Sequence, residues 1–260
     1  MPRIFLPVIN LIGNQISISG EKARYLATVL RCATGDELII FGGRGDCFRT
    51  RILRIGRKEV LTEVLKEFDC NMESPLNIIL VQGLLKGQKM DMVIQKATEL
   101  GVKEVQPVIT QRSQLRDTRK VSRWKKIAEE ASEQSGRSIV PIIREPTEFN
   151  QFLAGLDQLE RHEDTATRRH GEMKGFIFWE EVGVSLKEAV HKICMSTILH
   201  VAVSPIHILI GSEGGFTREE ITNAEKEGLI VTTLGRRILR AETAALSAIT
   251  LVQFLFGDLS

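Results

Sequence analysis

Two glycine-punctuated turns, each fed by a short apolar run, restrict this chain to folds that gather strand ends at one edge of a sheet. The first turn is Ile210-Gly211-Ser212-Glu213-Gly214-Gly215-Phe216, which follows the run from Ile206 to Ile210. The second is Leu234-Gly235-Arg236-Arg237-Ile238-Leu239-Arg240-Ala241-Glu242-Thr243-Ala244, which follows Leu229 to Leu234. Short apolar runs bounded by turn signals read as buried strands, and both turns lead into helical patterns. Ligands of open α/β sheets bind where strands end in this way. Glycine at such turns lets the main chain approach a ligand with no Cβ between them, leaving N–H and C=O groups free to read a base or a sugar. Two loops of this kind could enclose one nucleotide-like cofactor.

The rest of the chain divides in two. Residues 1–72 read as β-rich. Gln15-Ile16-Ser17-Ile18, Glu37 to Phe41 and Glu59 to Val64 alternate as strands do, and Gly42-Gly43-Arg44-Gly45-Asp46 reads as a hairpin turn. The stretch Gly20 to Arg31 is the helical exception, and a small β-barrel fits these signals. After the polar break Asn71-Met72-Glu73-Ser74-Pro75, residues 73–260 alternate strands with helices. Strands are expected at Ile78 to Gln82, Glu104 to Ile109, Ile139 to Ile143, Phe176 to Trp179, Ile206 to Ile210 and Leu229 to Leu234. A helix over Met90 to Leu100 keeps Met90, Val93, Ile94, Ala97 and Leu100 on one face and stops at Gly101. Val121, Trp124, Ala128 and Ala131 form the apolar stripe of another, where Trp124 serves as core or interface. Thr217 and Glu220 make a capping box. Leu156 to Lys174 is charged and patternless and reads as a surface loop. The alternation predicts an α/β domain with a mainly parallel sheet.

Several classes are excluded or disfavoured. The 260 residues contain no apolar run long enough to span a bilayer, and the first ten residues lack the apolar core of a signal peptide, so a soluble cytoplasmic protein is expected. Cys32, Cys47, Cys70 and Cys194 form no Cys-x-x-Cys pair, which predicts reduced thiols and neither a disulfide framework nor a zinc site. The five histidines show no ligand spacing, so no metal is expected. The Rossmann, P-loop and nucleophile-elbow fingerprints are all missing. Net charge is only +2, yet the segment Gln111 to Lys126 carries seven cations against the single Asp117. Such clustering marks either a polyanion partner, most plausibly nucleic acid, or a solvated face.

Taken together, the motifs resemble the RsmE family of SPOUT-class methyltransferases. The matching segments run nearly end to end: RYLATVLRCATGDEL, QGLLKGQKMDMVIQKATELGV, ITQRSQLR, RWKKIAEEASEQSGR, IGSEGGFTREE and LGRRILRAETAAL. The resemblance implies a PUA-like β-barrel followed by an α/β domain threaded as a trefoil knot, in a homodimer. It also implies methylation of N3 of a uridine in 16S small-subunit ribosomal RNA with S-adenosylmethionine as cofactor and no metal. By this likeness Gly211, Ser212, Glu213, Gly214 and Gly215 form one cofactor loop and Leu234, Gly235, Ile238, Leu239 and Arg240 the other. A third loop follows Trp179, near Glu180. The family usually has proline where this chain has Ser212, which leaves that loop without a fixed φ.

Arg240 is the candidate to stabilise charge on the uracil oxygens, or else pairs with Glu242 or another carboxylate. Glu213 is the candidate to polarise the site or accept a proton, or else ties down its glycine loop. Arg24, Arg31, Lys86, Lys89, Arg112 and Arg116 are candidates for RNA contact. The helix Ala244 to Phe256, apolar on nearly every side, is expected in a subunit interface. Two other readings stay open: methylation of another RNA, such as a transfer-RNA ribose hydroxyl, and a non-catalytic RNA-binding or ribosome-assembly protein.

Overall fold

The computed structural model describes residues 1–43, 45–56, 58–70, 72–159, 175–190 and 205–259. They form two compact units. The first comprises Met1–Glu73 together with Glu129–Val140, and the second Ser74–Ala128 with Pro141–Ser260.

In the first unit, β1 (Arg3–Phe5), β2 (Leu11–Ile12), β3 (Gln15–Ser19), β4 (Glu37–Phe41), β5 (Asp46–Ile55) and β6 (Glu59–Asp69) make a six-stranded sheet in the order β1-β4-β5-β6-β3-β2. Its pairings are antiparallel except for β1 with β4. Period-two alternation turns Ile16, Ile18, Leu38, Ile40, Ile52 and Val60 to one face, where they bury Ala23 and Leu26. The helical segment is an α-turn over Gly20–Arg24 that widens to a π-helix over Tyr25–Val29, and it ends before Arg31, whose φ is 52°.

The first unit takes in Glu129–Val140 as well. Within it a buried ion pair joins the two segments: Arg137 Nη2 donates to Glu73 Oε2 at 2.6 Å, and Glu73 Oε1 accepts from the backbone N–H groups of Ser138 and Ile139. Removing one partner of such a pair typically costs about 3–5 kcal/mol. One expectation needs correction: Cys47 and Cys70 are not separate thiols but a disulfide pair, with Cα atoms 6.0 Å apart. They are 23 residues apart in sequence, but the β5–β6 pairing sets Cys47 opposite Phe68 and so beside the end of β6. Cys194 lies outside the described residues.

The second unit carries β7 (Ile78–Gly83), β8 (Glu104–Ile109), β9 (Ile142–Ile143), β10 (Thr147–Glu148), β11 (Gly175–Phe178), β12 (Val184–Ser185), β13 (Ile206–Ile210) and β14 (Leu229–Thr233). The order is β10-β8-β7-β13-β11-β14-β12, with β9 also on β8, and all these pairings are parallel. The runs β7, β11 and β13 are apolar apart from Gln82 and His207 because both their faces are covered. Helices Lys89–Glu99, Phe149–Leu159, Arg218–Lys226 and Ala241–Phe256 belong to this unit, as does the start of helix Val121–Ser135 up to Ala128.

Leu156 to Leu159 end a helix, where a loop was expected, and the remainder of that expected loop, 160–174, lies outside the described residues. The pattern was present in the sequence: Phe149, Phe152, Leu153 and Leu156 follow helical spacing and are buried with Val81, Leu209 and Phe216. Trp124 is core, 1% exposed, and its Nε1 donates to Asp91 Oδ1 at 3.0 Å.

Candidate active site

Because β13, β11 and β14 are neighbours and parallel, the chain leaves all three at the same edge of the sheet. The loops that follow them line one cavity of about 320 Å³. Ile210, Gly211, Ser212, Glu213, Gly215 and Phe216 come from the first glycine loop, and Leu234, Gly235, Ile238, Leu239 and Arg240 from the second. Phe178, Trp179 and Glu180 come from the end of β11. The cavity falls in the size range of small-molecule sites.

Each loop is fixed by contacts the local sequence supplies. In the first, Gly215 N–H donates to the Ser212 carbonyl at 3.0 Å, closing a tight turn with Gly215 at φ 68°. The Gln82 side-chain amide, at the end of β7, donates to the Gly211 carbonyl at 3.1 Å. Ser212 is 4% exposed, and its hydroxyl lies 3.3 Å from that of Thr110. This hydroxyl contact across the loops ties down a position that lacks proline's fixed φ. Neither Gln82 nor Thr110 carried a sequence signal, since the contact each makes with this loop joins residues more than a hundred positions apart.

The structure separates Gly214 from the other glycines. It does not line the cavity, and a Cβ there would sit 2.8 Å from both the Cβ and the carbonyl oxygen of Arg112. Its small size serves the packing of the β8 loop, and Arg112 Nη1 reaches the Gly214 carbonyl at 3.3 Å. The same β8 loop is anchored by Gln111 N–H donating to Glu220 Oε1 at 2.8 Å, while Glu220 also completes the capping box with Thr217.

Glu213 is a strut between loops. Its Oε1 accepts from the Lys86 backbone N–H at 3.1 Å and from Lys89 Nζ at 3.0 Å. Partial burial works against the charged carboxylate, but the bonds from Lys86 and Lys89 outweigh it and hold the group below its ordinary value of 4.5. These bonds engage Oε1 and favour the carboxylate form over the protonated one. A folded-state value below the unfolded one gives stability that is fully present above pH 4.5 and is lost as pH falls through the folded value. Glu213→Gln should therefore lower the denaturation midpoint at pH 7 by a margin worth less than about 1 kcal/mol, as for a largely exposed pair, and the gap between variant and wild type should close in acid. Paired denaturant titrations at pH 7 and in acid measure it.

Arg240 sits at the N-cap of helix Ala241–Phe256, exposed, with no side-chain hydrogen bond or ion pair among the described residues. It does not pair with Glu242, the partner considered from sequence. Glu242 lines the cavity, is 9% exposed, and its Oε2 has no hydrogen-bond partner. Trp179 also lines the cavity at 9% exposure, with Nε1 unpartnered. Buried polar atoms of native proteins rarely lack partners, so an orphan donor and an orphan acceptor on one cavity mark a polar ligand's place.

Of the candidate RNA-contact residues, Lys86 and Lys89 follow β7, and Arg112 and Arg116 follow β8, at the same sheet edge as the cavity. Lys89 lines the cavity. Arg116 Nη2 holds the Gln111 carbonyl at 3.0 Å. Arg24, on the helical segment of the first unit, and Arg31, just beyond its end, are exposed.

The family model for an RNA methyltransferase domain matches residues 72–253, and that for an RNA methyltransferase PUA domain matches residues 18–65. The ribosomal RNA small subunit methyltransferase E of Buchnera aphidicola (Acyrthosiphon pisum) is 33% identical, over 99% of this chain and 95% of its own length. That of Bacillus subtilis is 30% identical over 92% and 89%. Among solved structures, the ribosomal RNA small subunit methyltransferase E of Neisseria gonorrhoeae, bound to S-adenosyl methionine, superposes with a TM-score of 0.83 at 32% identity, all of both chains being covered.

Proposed function

This chain belongs to the ribosomal RNA small subunit methyltransferase E family, and we propose on that premise that it methylates N3 of a uridine in 16S small-subunit ribosomal RNA using S-adenosylmethionine. The observation that carries the reading is the convergence of three strand-end loops on one cavity with the orphan polar atoms of Trp179 and Glu242.

The residues present suit the cofactor. Phe178, Ile210, Phe216 and Leu239 offer apolar walls to a purine, and the backbone of Gly211, Gly215, Leu234 and Gly235 offers donors and acceptors at close range. When bound, S-adenosylmethionine supplies a methyl group already activated by positive sulfur. The protein's tasks are to hold the uracil nitrogen in line and to favour loss of its proton. Arg240, unpaired at the cavity, stabilises negative charge on uracil O2 or O4. Lys86, Lys89, Arg112 and Arg116 at the sheet edge, with Arg24 and Arg31 on the first unit, take phosphates.

The enzyme works in the cytoplasm as a homodimer through its C-terminal helix, and among the described residues no helix is long and apolar enough to cross a membrane. The test is transfer from labelled S-adenosylmethionine to small ribosomal subunits lacking the modification, followed by mass spectrometry of the nucleosides. N3-methyluridine is expected. A 2′-O-methyl product, or no transfer, would overturn the assignment.

A further inference from the structure

The cavity presents three carboxylates, Glu180, Glu213 and Glu242, in different states. Glu213 is spent on Lys86 and Lys89. Glu180 is exposed, and its Oε1 lies 2.5 Å from where a Cβ on Gly215 would be, so it packs over the glycine turn. Glu242 alone is buried with an oxygen that nothing satisfies. An unsatisfied buried oxygen costs free energy, and the first turn of a helix is a favourable place for a carboxylate, so the group is held in position and left to receive a donor.

Two residues away, Arg240 at the N-cap lines the same cavity, and among the described residues no hydrogen bond or ion pair joins it to Glu242. A carboxylate and a guanidinium that line one cavity without pairing suit a ligand that gives up a proton and acquires negative charge on flanking oxygens. The imide of uracil is such a ligand: N3–H lies between two carbonyls, and its anion is spread over O2 and O4.

We propose that Glu242 is the catalytic base, accepting the N3 proton of the target uridine on Oε2. The proposal rests on the functional reading above. As the N3–CH3 bond forms, the sulfur–methyl bond breaks with its electron pair left on sulfur. The N3–H pair becomes the nitrogen lone pair, and the proton passes to Oε2 and then to solvent. Arg240 carries the developing charge on the oxygens during this step.

Glu242→Gln tests it, since it keeps the shape of the side chain and removes its basicity. The single-turnover rate at pH 7 should fall by about 10²–10⁴-fold, the usual contribution of a positioned base. The residual rate should then climb roughly tenfold per pH unit, because the uridine must reach its anion unaided. RNA carrying 5-fluorouridine, whose N3 is more acidic, should recover much of the loss. Glu242→Asp should retain more activity than Glu242→Gln and keep the wild-type profile. Two readouts are independent of turnover. Calorimetric affinity for S-adenosylhomocysteine should be unchanged in Glu242→Gln. The 19F titration of a 5-fluorouridine oligonucleotide bound with that product should move to lower pH when the carboxylate is gone. A wild-type single-turnover rate in Glu242→Gln, or weakened cofactor affinity with unchanged kcat, would overturn the proposal, the latter assigning Glu242 to the cofactor. Failure of the family function itself would show separately, as wild-type protein that neither binds S-adenosylmethionine nor methylates the RNA.

Discussion

Gly215→Val is expected to lower affinity for S-adenosylmethionine by more than tenfold, which corresponds to more than 1.4 kcal/mol, in a protein that still folds. Gly215 sits at φ 68°, a conformation that costs a branched residue about 1–2 kcal/mol, and it closes the Ser212 turn at the cavity. A Cβ there would meet Glu180 Oε1 at 2.5 Å, so the Glu180 side chain must also swing away from the turn. Gly214→Val predicts a different failure. That Cβ meets Arg112 backbone rather than the cavity, so the variant should disturb the β8 loop first and the cofactor through it. Gly235→Ala is the control: its φ of 92° imposes strain, but the space around a Cβ is open. Calorimetric titration of the three should rank Gly215→Val as the weakest binder and Gly235→Ala as the mildest. Wild-type affinity in a folded Gly215→Val would remove the cofactor from this turn.

The parts of this architecture visible in the sequence are those governed by local rules. β8 and β13 lie at Glu104–Ile109 and Ile206–Ile210 as their apolar runs predict, and the capping box of Thr217 and Glu220 forms as its spacing requires. The two glycine loops could be read because positive φ and close approach restrict residue choice at the position itself. What stayed hidden depends on pairing over long stretches of chain. Nothing near Arg137 reveals that Glu73, 64 residues earlier, will hold it. Cys47 and Cys70 carry no spacing signature, because a sheet register rather than a motif sets them together. Within the cavity, Trp179 and Glu242 acquire meaning only from what they lack, a partner for one buried atom each, and absence of a partner cannot be read from residue order. Gly214 shows the converse limit: among adjacent glycines, sequence does not say which faces the ligand and which faces a neighbouring loop.

Phe254→Glu is expected to yield monomers or insoluble chain and to abolish methyl transfer. Helix Ala241–Phe256 has two faces of different fate. Ala245, Ala248, Ile249 and Val252 are buried within the subunit, so Ala248→Glu would damage the fold whatever the oligomeric state and is not a test of assembly. The sequence expectation that the whole helix serves the interface is narrowed accordingly. The other face leaves Leu251 39%, Phe254 56% and Leu255 42% exposed, and Leu259 beyond the helix is 47% exposed. Residues spaced by three and four lie side by side on a helix, so the first three form one apolar strip. An exposed apolar strip of this kind suits an interaction surface, and the homodimer proposed above would seat a second copy of this chain on it. A glutamate there would bury an unpaired charge on assembly, at a cost of several kcal/mol. Because the helix starts at Arg240 and Glu242 lies in its first turn, losing the partner also frees the end of the second glycine loop, so assembly and activity should fall together. Sedimentation of wild type and variant alongside the methylation assay decides the matter, and a fully active wild-type monomer would refute it.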